Sequence, residues 1–298
     1  MMSSFIDIGV FSASIRMAAP LLFAALGTSF ISSVGVFNIA IEGSMLIGTF
    51  AAVVIGYFTH SAVLAFLAAG LGGMLLALML AFFIVRLHGD AIVVGIGGNT
   101  FAWGITVFIL EEVFRMRGSF SGDGVPFFPA IKIPLLDSVP VLKDIVSGYT
   151  LPVYFAFILA FLVWVFLYRT PAGLIIRSIG KNAEAVRSIG ADVDRIRIAC
   201  FAASGFFAGL GGACLSIANL QGFWSENMTV GRGYIAICAA AFGRNNPKFV
   251  LLACLIFGFA EAIGIRFQVL RLEPSFVLMI PYIVTIAMLV LSSRRERI

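Results

Sequence analysis

Long apolar runs, each about the length of a membrane-crossing helix and separated by short polar turns, constrain this chain more than any other feature. A hydrocarbon core of roughly 30 Å takes about 20 residues of α-helix. Runs of that kind cover about 17–36, 38–58, 61–85, 91–110, 151–168, 198–218, 249–265 and 275–291. Of the 298 residues, 61% are apolar and 12% charged, against about 25% charged in soluble domains. The chain is therefore predicted to be an all-α integral membrane protein, a polytopic helix bundle of about 8–10 transmembrane segments forming one domain over 1–298. No length remains for a large domain outside the membrane.

One apolar run, 234–242, is too short to cross alone and reads as a half-span or re-entrant element. Such an element is stable in a bilayer only where protein covers its backbone. At the N-terminus, Asp7 and Arg16 interrupt the apolar pattern, so 4–16 reads as an interfacial amphipathic helix or an extra short span. No cleavage-site pattern marks it as a removable signal peptide.

The few charges give orientation. Arg169, Arg177, Lys181, Arg187, Arg195 and Arg197 crowd the segment 169–197, where only Glu184, Asp192 and Asp194 oppose them. The positive-inside rule makes this loop cytoplasmic, together with the arginine-rich C-terminus. The interval 111–150, carrying Pro126, Pro129, Pro134 and Pro140, reads as an ordered external loop, and Arg232 and Arg266 fall on its side. The net charge of +5 is thus a matter of topology, and no nucleic-acid partner is expected. Cys200, Cys214, Cys238 and Cys254 lack C-x-x-C spacing or a histidine partner, so they read as packing residues. No metal site or cofactor is expected.

Small residues recur every four positions at Ala65, Ala69, Gly73 and Ala77 and at Gly205, Gly209 and Ala213. Stripes of this kind let membrane helices approach closely, so both read as packing seams.

Ionisable and polar groups inside apolar spans are costly and mark functional candidates. Glu42 lies four residues after Asn38, which in a helix puts both on one face with Met45 close by. That pair suits a polyhydroxylated ligand; capping of its own helix or pairing with a neighbour is an equal alternative. Asn99 sits among Gly95, Gly97 and Gly98, which either break the helix to line a cavity with Phe101 and Trp103 or form a packed kink. Glu261 either lines a path or faces a partner helix. Trp224 reads as an aromatic at the lipid interface. Enzyme chemistry has little support: no H-E-x-x-H occurs, and Gly180-Lys181 fails the phosphate-loop pattern because Ile175 and Asn182 stand where Gly and Ser or Thr belong.

The run from Gly173 to Asp192, continued by Ser204-Gly205-Phe206-Phe207-Ala208-Gly209-Leu210-Gly211-Gly212, resembles the cytoplasmic signature of permease subunits of ABC importers for branched-chain amino acids, simple sugars and nucleosides. Asn38 to Gly48 is similar to the N-I-G-x-E-G-x-M-L-x-G stretch of the nucleoside and simple-sugar branch, with Ala40 in place of Gly and Ser44 in place of Met. Thr229-Val230-Gly231-Arg232-Gly233-Tyr234, Phe242-Gly243-Arg244-Asn245-Asn246-Pro247 and Ile280-Pro281-Tyr282 are similar to the same branch. The resemblance implies a permease of the cell inner membrane that works by alternating access without an ATPase motif of its own. Its implied partners are an ABC ATPase with two fused nucleotide-binding halves, a second homologous permease and an extracytoplasmic substrate-binding lipoprotein. It also implies an ATPase-coupling role for Arg177, Gly180, Asn182, Glu184, Ala185 and Gly190, with a short helix at about 182–190 seated in the ATPase. A branched-chain amino acid permease and a gradient-driven secondary carrier are the competing expectations.

Overall fold

A computed structural model describes residues 8–121, 124–131 and 147–269. The expected span 275–291, the motif at Ile280-Pro281-Tyr282 and the C-terminal arginines lie outside the described residues. The long helices are α1 (Ile8–Ser33), α2 (Ile41–Thr59), α3 (Ala62–Ala81), α4 (Ala91–Phe114) and α5 (Leu151–Arg169). Two short helices follow, α6 (Pro171–Lys181) and α7 (Ala183–Ser188), then α8 (Val193–Ala213), α9 (Arg232–Phe242) and α10 (Pro247–Val269). Among the described residues seven helices are long and apolar enough to cross a membrane, and α9 is the short apolar one. Short antiparallel ladders close one end: β1 (Ser119–Ser121) pairs with β4 (Phe223–Ser225), and β2 (Ala130–Ile131) with β3 (Tyr149–Thr150). Helices α6 and α7 occupy the opposite end.

Helix α8 is the hub, packing against α1, α2 and α3. The reason is the absence of side chains where it touches them. A Cβ on Gly209 would fall 2.1 Å from the Ala69 carbonyl oxygen, and one on Gly205 2.3 Å from that of Gly73. The two small-residue stripes therefore pack directly on each other, backbone against backbone. Without a water-driven force between helices in lipid, such close van der Waals contact is what holds them. Gly48 and Gly212 do the same between α2 and α8.

Several expected boundaries shift, each for a local reason. The segment at 4–16 is not a separate element from Ile8 onward: α1 runs through Arg16 and Pro20 unbroken. Pro20 has no N–H for the Arg16 carbonyl, and the Asn219 side chain donates to that oxygen instead at 3.5 Å. Tyr149 of β3 bonds Ser12 beside Arg16, which fixes the start of α1 at the strand-bearing end; burial pushes its phenol above the ordinary value. The charged stretch 169–197 is helical almost throughout. Thr170, Asn182 and Asp192 cap α6, α7 and α8 through bonds to the amides of Gly173, Ala185 and Arg195. Helix α8 thus begins at Val193, five residues before the expected start of its span, and its far end widens into a π-helical turn at Cys214–Asn219.

The second expected span is corrected more deeply. Residues 34–40 are not helical, and α2 begins only at Ile41. Asn38 and Glu42 therefore do not share a helix face. Asn38 instead folds its Oδ1 onto the amide of Ala40 at 2.9 Å, a local turn that competes with helix.

Candidate functional site

Within the break at 34–40, Val34, Asn38 and Ala40 are buried in the bundle, while Gly35 and Phe37 are exposed. The amide of Gly43 donates to Asn99 Oδ1 at 2.7 Å, and Asn99 Nδ2 donates to the Ile39 carbonyl at 3.2 Å. Asn99 is the ninth residue of α4, about 12 Å along that helix at 1.5 Å per residue. Helix α2 thus starts roughly a third of the way along its neighbour, beyond an unwound approach.

A second unwound approach meets it there. From β4 the chain descends through residues 226–231 to α9, with Val230 (φ 46°) and Gly231 (φ 79°) both left-handed. A β-branched residue in that region is strained by about 1–3 kcal/mol, so the surrounding bonds must hold it. Glu42 supplies them. Its Oε1 accepts from the Thr229 hydroxyl at 2.6 Å and the Gly231 amide at 2.8 Å, and its Oε2 accepts from the Gly233 amide at 2.6 Å. The two amides are orphan N–H groups at the start of α9, where the helix dipole also favours a negative charge. Glu42 is 7% exposed. It therefore pairs with a neighbouring helix rather than capping its own, and it does so by capping α9, nearly 200 residues away in sequence.

Arg232, the first residue of α9, brings a cation to the same helix start, where the dipole disfavours it. Glu261 of α10 compensates: it accepts from Arg232 Nε at 2.9 Å and is also bonded by Nη2. Arg232 Nη1 reaches the Met228 carbonyl as well. The Arg232 side chain is thereby paired with another helix and largely covered. Tyr234, two residues on, accepts from Asn99 Nδ2 at 3.0 Å and closes the network.

The structure thus gathers Glu42, Asn99 and Glu261 around the start of α9, with Asn38 in the unwound segment that leads to Glu42. Met45 is fully buried one turn beyond Glu42, and its carbonyl lies against Gly212 of α8. The glycines of α4 do not break that helix: Gly95 packs on Ile39 and Gly98 on Leu80, while the break lies in the facing chain. Phe101 and Trp103 stand apart from the network, about half exposed on the outer face of α4. Trp224 is corrected outright. It is fully buried, stacks edge-on with Phe50 and donates from Nε1 to Thr49 at 3.1 Å, so it pins the descending segment to α2. Thr229, Arg232 and Tyr234 are members that sequence reasoning missed. Their signal was a lone basic residue between two glycines at the head of a run too short to span.

At the opposite end, Arg177 points inward: its Nε donates to the Leu167 carbonyl at 3.0 Å and its guanidinium stacks on Tyr168. It anchors α6 to the end of α5. Gly180 packs against the end of α1. Asn182 caps α7, whose exposed surface carries Glu184 and Ala185, and Gly190 ends it at φ 86°.

No solved structure is significantly similar to this chain. Among curated proteins, the guanosine ABC transporter permease protein NupQ of Bacillus subtilis is 36% identical over 92% of this chain and 88% of its own length. The nucleoside ABC transporter permease protein NupC of Lactococcus lactis is 32% identical over 92% and 89%. The putative glucose ABC transporter permease protein TsgC13 of Haloferax volcanii is 31% identical over 89% and 79%. Residues 10–289 match the model of the branched-chain amino acid transport system / permease component family, and this multi-pass membrane protein belongs to that family.

Proposed function

We propose that this chain is the membrane-spanning permease of an ATP-driven importer for nucleosides, with simple sugars as the neighbouring substrate class. The observation that carries the reading is the junction of two unwound segments around Glu42, which is itself buried in the helical bundle. Non-helical backbone within a membrane is tolerated where protein covers it or a cavity needs it, and transporters build substrate sites at such breaks. The similarity to guanosine, nucleoside and glucose permeases narrows the ligand to a ribose- or hexose-bearing solute. Amides, hydroxyls and carboxylates suit such a ligand. Asn38, Glu42, Met45, Asn99 and Glu261 form the proposed path, with Phe101 and Trp103 on the α4 face offering aromatic surface for a base.

In this reading the α6–α7 end is cytoplasmic, as is the C-terminus, and the strand-bearing end faces outward in the inner membrane. An ABC ATPase with two fused nucleotide-binding halves docks on α7, a second homologous permease completes the bundle, and a binding lipoprotein delivers the ligand. ATP-driven closure switches the bundle between outward- and inward-open states.

The test is uptake of radiolabelled guanosine and ribose into proteoliposomes holding the permease pair, its ATPase and its binding protein. Uptake is expected only with ATP and all components. Glu184→Arg on α7 is expected to leave basal ATP hydrolysis intact and cut uptake at least tenfold. Transport by the isolated chain under an ion gradient, without the ATPase, would sink the importer reading; preference for leucine would move the substrate to branched-chain amino acids.

A further inference from the structure

Helix α6 meets the start of the unwound segment 34–40 at a pair of glycines. A Cβ built on Gly180 would stand 2.3 Å from the Ser33 carbonyl oxygen and 3.2 Å from the Gly35 amide. A Cβ on Gly35, whose φ is 74°, would stand 3.3 Å from the Gly180 Cα. Ser33 is the last residue of α1, and the unwound chain that leads to Asn38, Ile39 and Glu42 starts immediately after it.

Both sides of this contact are stiffly held. On the α6 side, Gly173 is seated on the Phe166 and Leu167 carbonyls, Arg177 is bonded to Leu167, and Ile176 and Ile179 are buried. Only Asn182, the cap of α7, separates α6 from α7, so a push on α7 reaches Gly180 within one helical turn. On the segment side, Asn38 closes on Ala40, Asn99 holds Ile39 and Gly43, and Glu42 holds the start of α9. A backbone-on-backbone contact contains no rotamers that could absorb a small displacement, although both glycines are exposed on their other side.

We infer that the Gly180–Gly35 contact is the transmission point by which movement of α7 reaches the α2–α9 junction, with Gly180 and Gly35 as positioning residues for transport. The inference rests on the proposed ATP-driven function. Six residues of chain link Gly35 to Glu42, the exposed Phe37 among them. Movement of α6 therefore repositions this tether and, through it, the three bonds Glu42 makes to the start of α9 and the segment before it.

The experiment places spin labels at two exposed sites, Ile189→Cys after α7 and Phe37→Cys in the tether, with Cys238→Ala removing the native thiol that is not fully buried. In the assembled complex a non-hydrolysable ATP analogue is expected to change the spectra of both labels. With Gly180→Val, the label at 189 is expected to respond as before, while that at 37 loses at least four-fifths of its response and uptake falls at least tenfold. Gly180→Ala, a smaller intrusion, is expected to fall between. A label at 37 that stays silent while 189 responds in the otherwise native chain overturns the inference, whether or not the valine variant folds. A full response at 37 in either Gly180 variant overturns it as well. Silence at both positions together with no ATPase association would instead defeat the proposed function.

Discussion

The seam between α3 and α8 and the junction around Glu42 solve the same problem, holding membrane helices together, by opposite means. At the seam Gly73, Gly205 and Gly209 remove side chains until carbonyl oxygens meet Cα atoms, and nothing polar changes partners. At the junction, the Glu42 carboxylate, the Asn99 amide and the Arg232 guanidinium bind backbone groups, and Glu261 pairs with Arg232. A seam of the first kind has one tight arrangement, because any added atom collides. A junction of the second kind can exchange bonds with water or a ligand at small net cost, since a hydrogen bond contributes only about 0.5–1.5 kcal/mol net. The rigid seam suits a scaffold, and the exchangeable junction suits the part that moves.

That contrast can be broken at four places. Gly209→Leu is expected to have the largest effect, because its side chain has no room beside the Ala69 carbonyl; a loss of about 3 kcal/mol or more should appear as a collapsed monodisperse peak in detergent. Glu42→Ala orphans three donors at about 1–3 kcal/mol each, so thermal unfolding should shift down and uptake fall at least tenfold. If uptake survives while stability drops, the junction is a second seam and the contrast fails. Arg232→Glu and Glu261→Arg should each impair uptake, while the double variant regains part of it, with a coupling of about 0.5–3 kcal/mol in thermal melts. Trp103→Ala should change stability by less than about 0.5 kcal/mol, since the indole is exposed. A changed nucleoside KM in that variant would put the α4 face on the substrate path; an unchanged one would confine the path to the junction.

The spans were legible because apolar runs need only length and composition to be read, and the α3 and α8 stripes announced their seam through a period of four. The short run at 234–242 declared α9 by its length alone. The unwound segment was hidden because Val34, Val36, Ile39 and Ile41 carry the apolar pattern straight through it; only Gly35 and Asn38 hinted otherwise. Glu42 was recognisable as an exception, but its partners lie 187–191 residues away and no local pattern points to them. Trp224 misled for a related reason: an indole beside Glu226 and Asn227 reads as interfacial until the descending chain carries it into the core. Contacts made by returning chain, rather than by neighbours in a helix, are what sequence periodicity does not encode.

The burial of Trp224 also gives the protein an optical probe of its own. Of its three indoles, Trp103 is exposed and Trp164 lies at the surface beneath Lys248 and Arg169, whereas Trp224 is sealed between Phe50 and Thr49. Brominated lipids should quench the first two and spare the third. With Trp103→Phe and Trp164→Phe, the remaining emission belongs to the segment that descends to α9, so any rearrangement that wets this segment would appear as a red shift without a label attached.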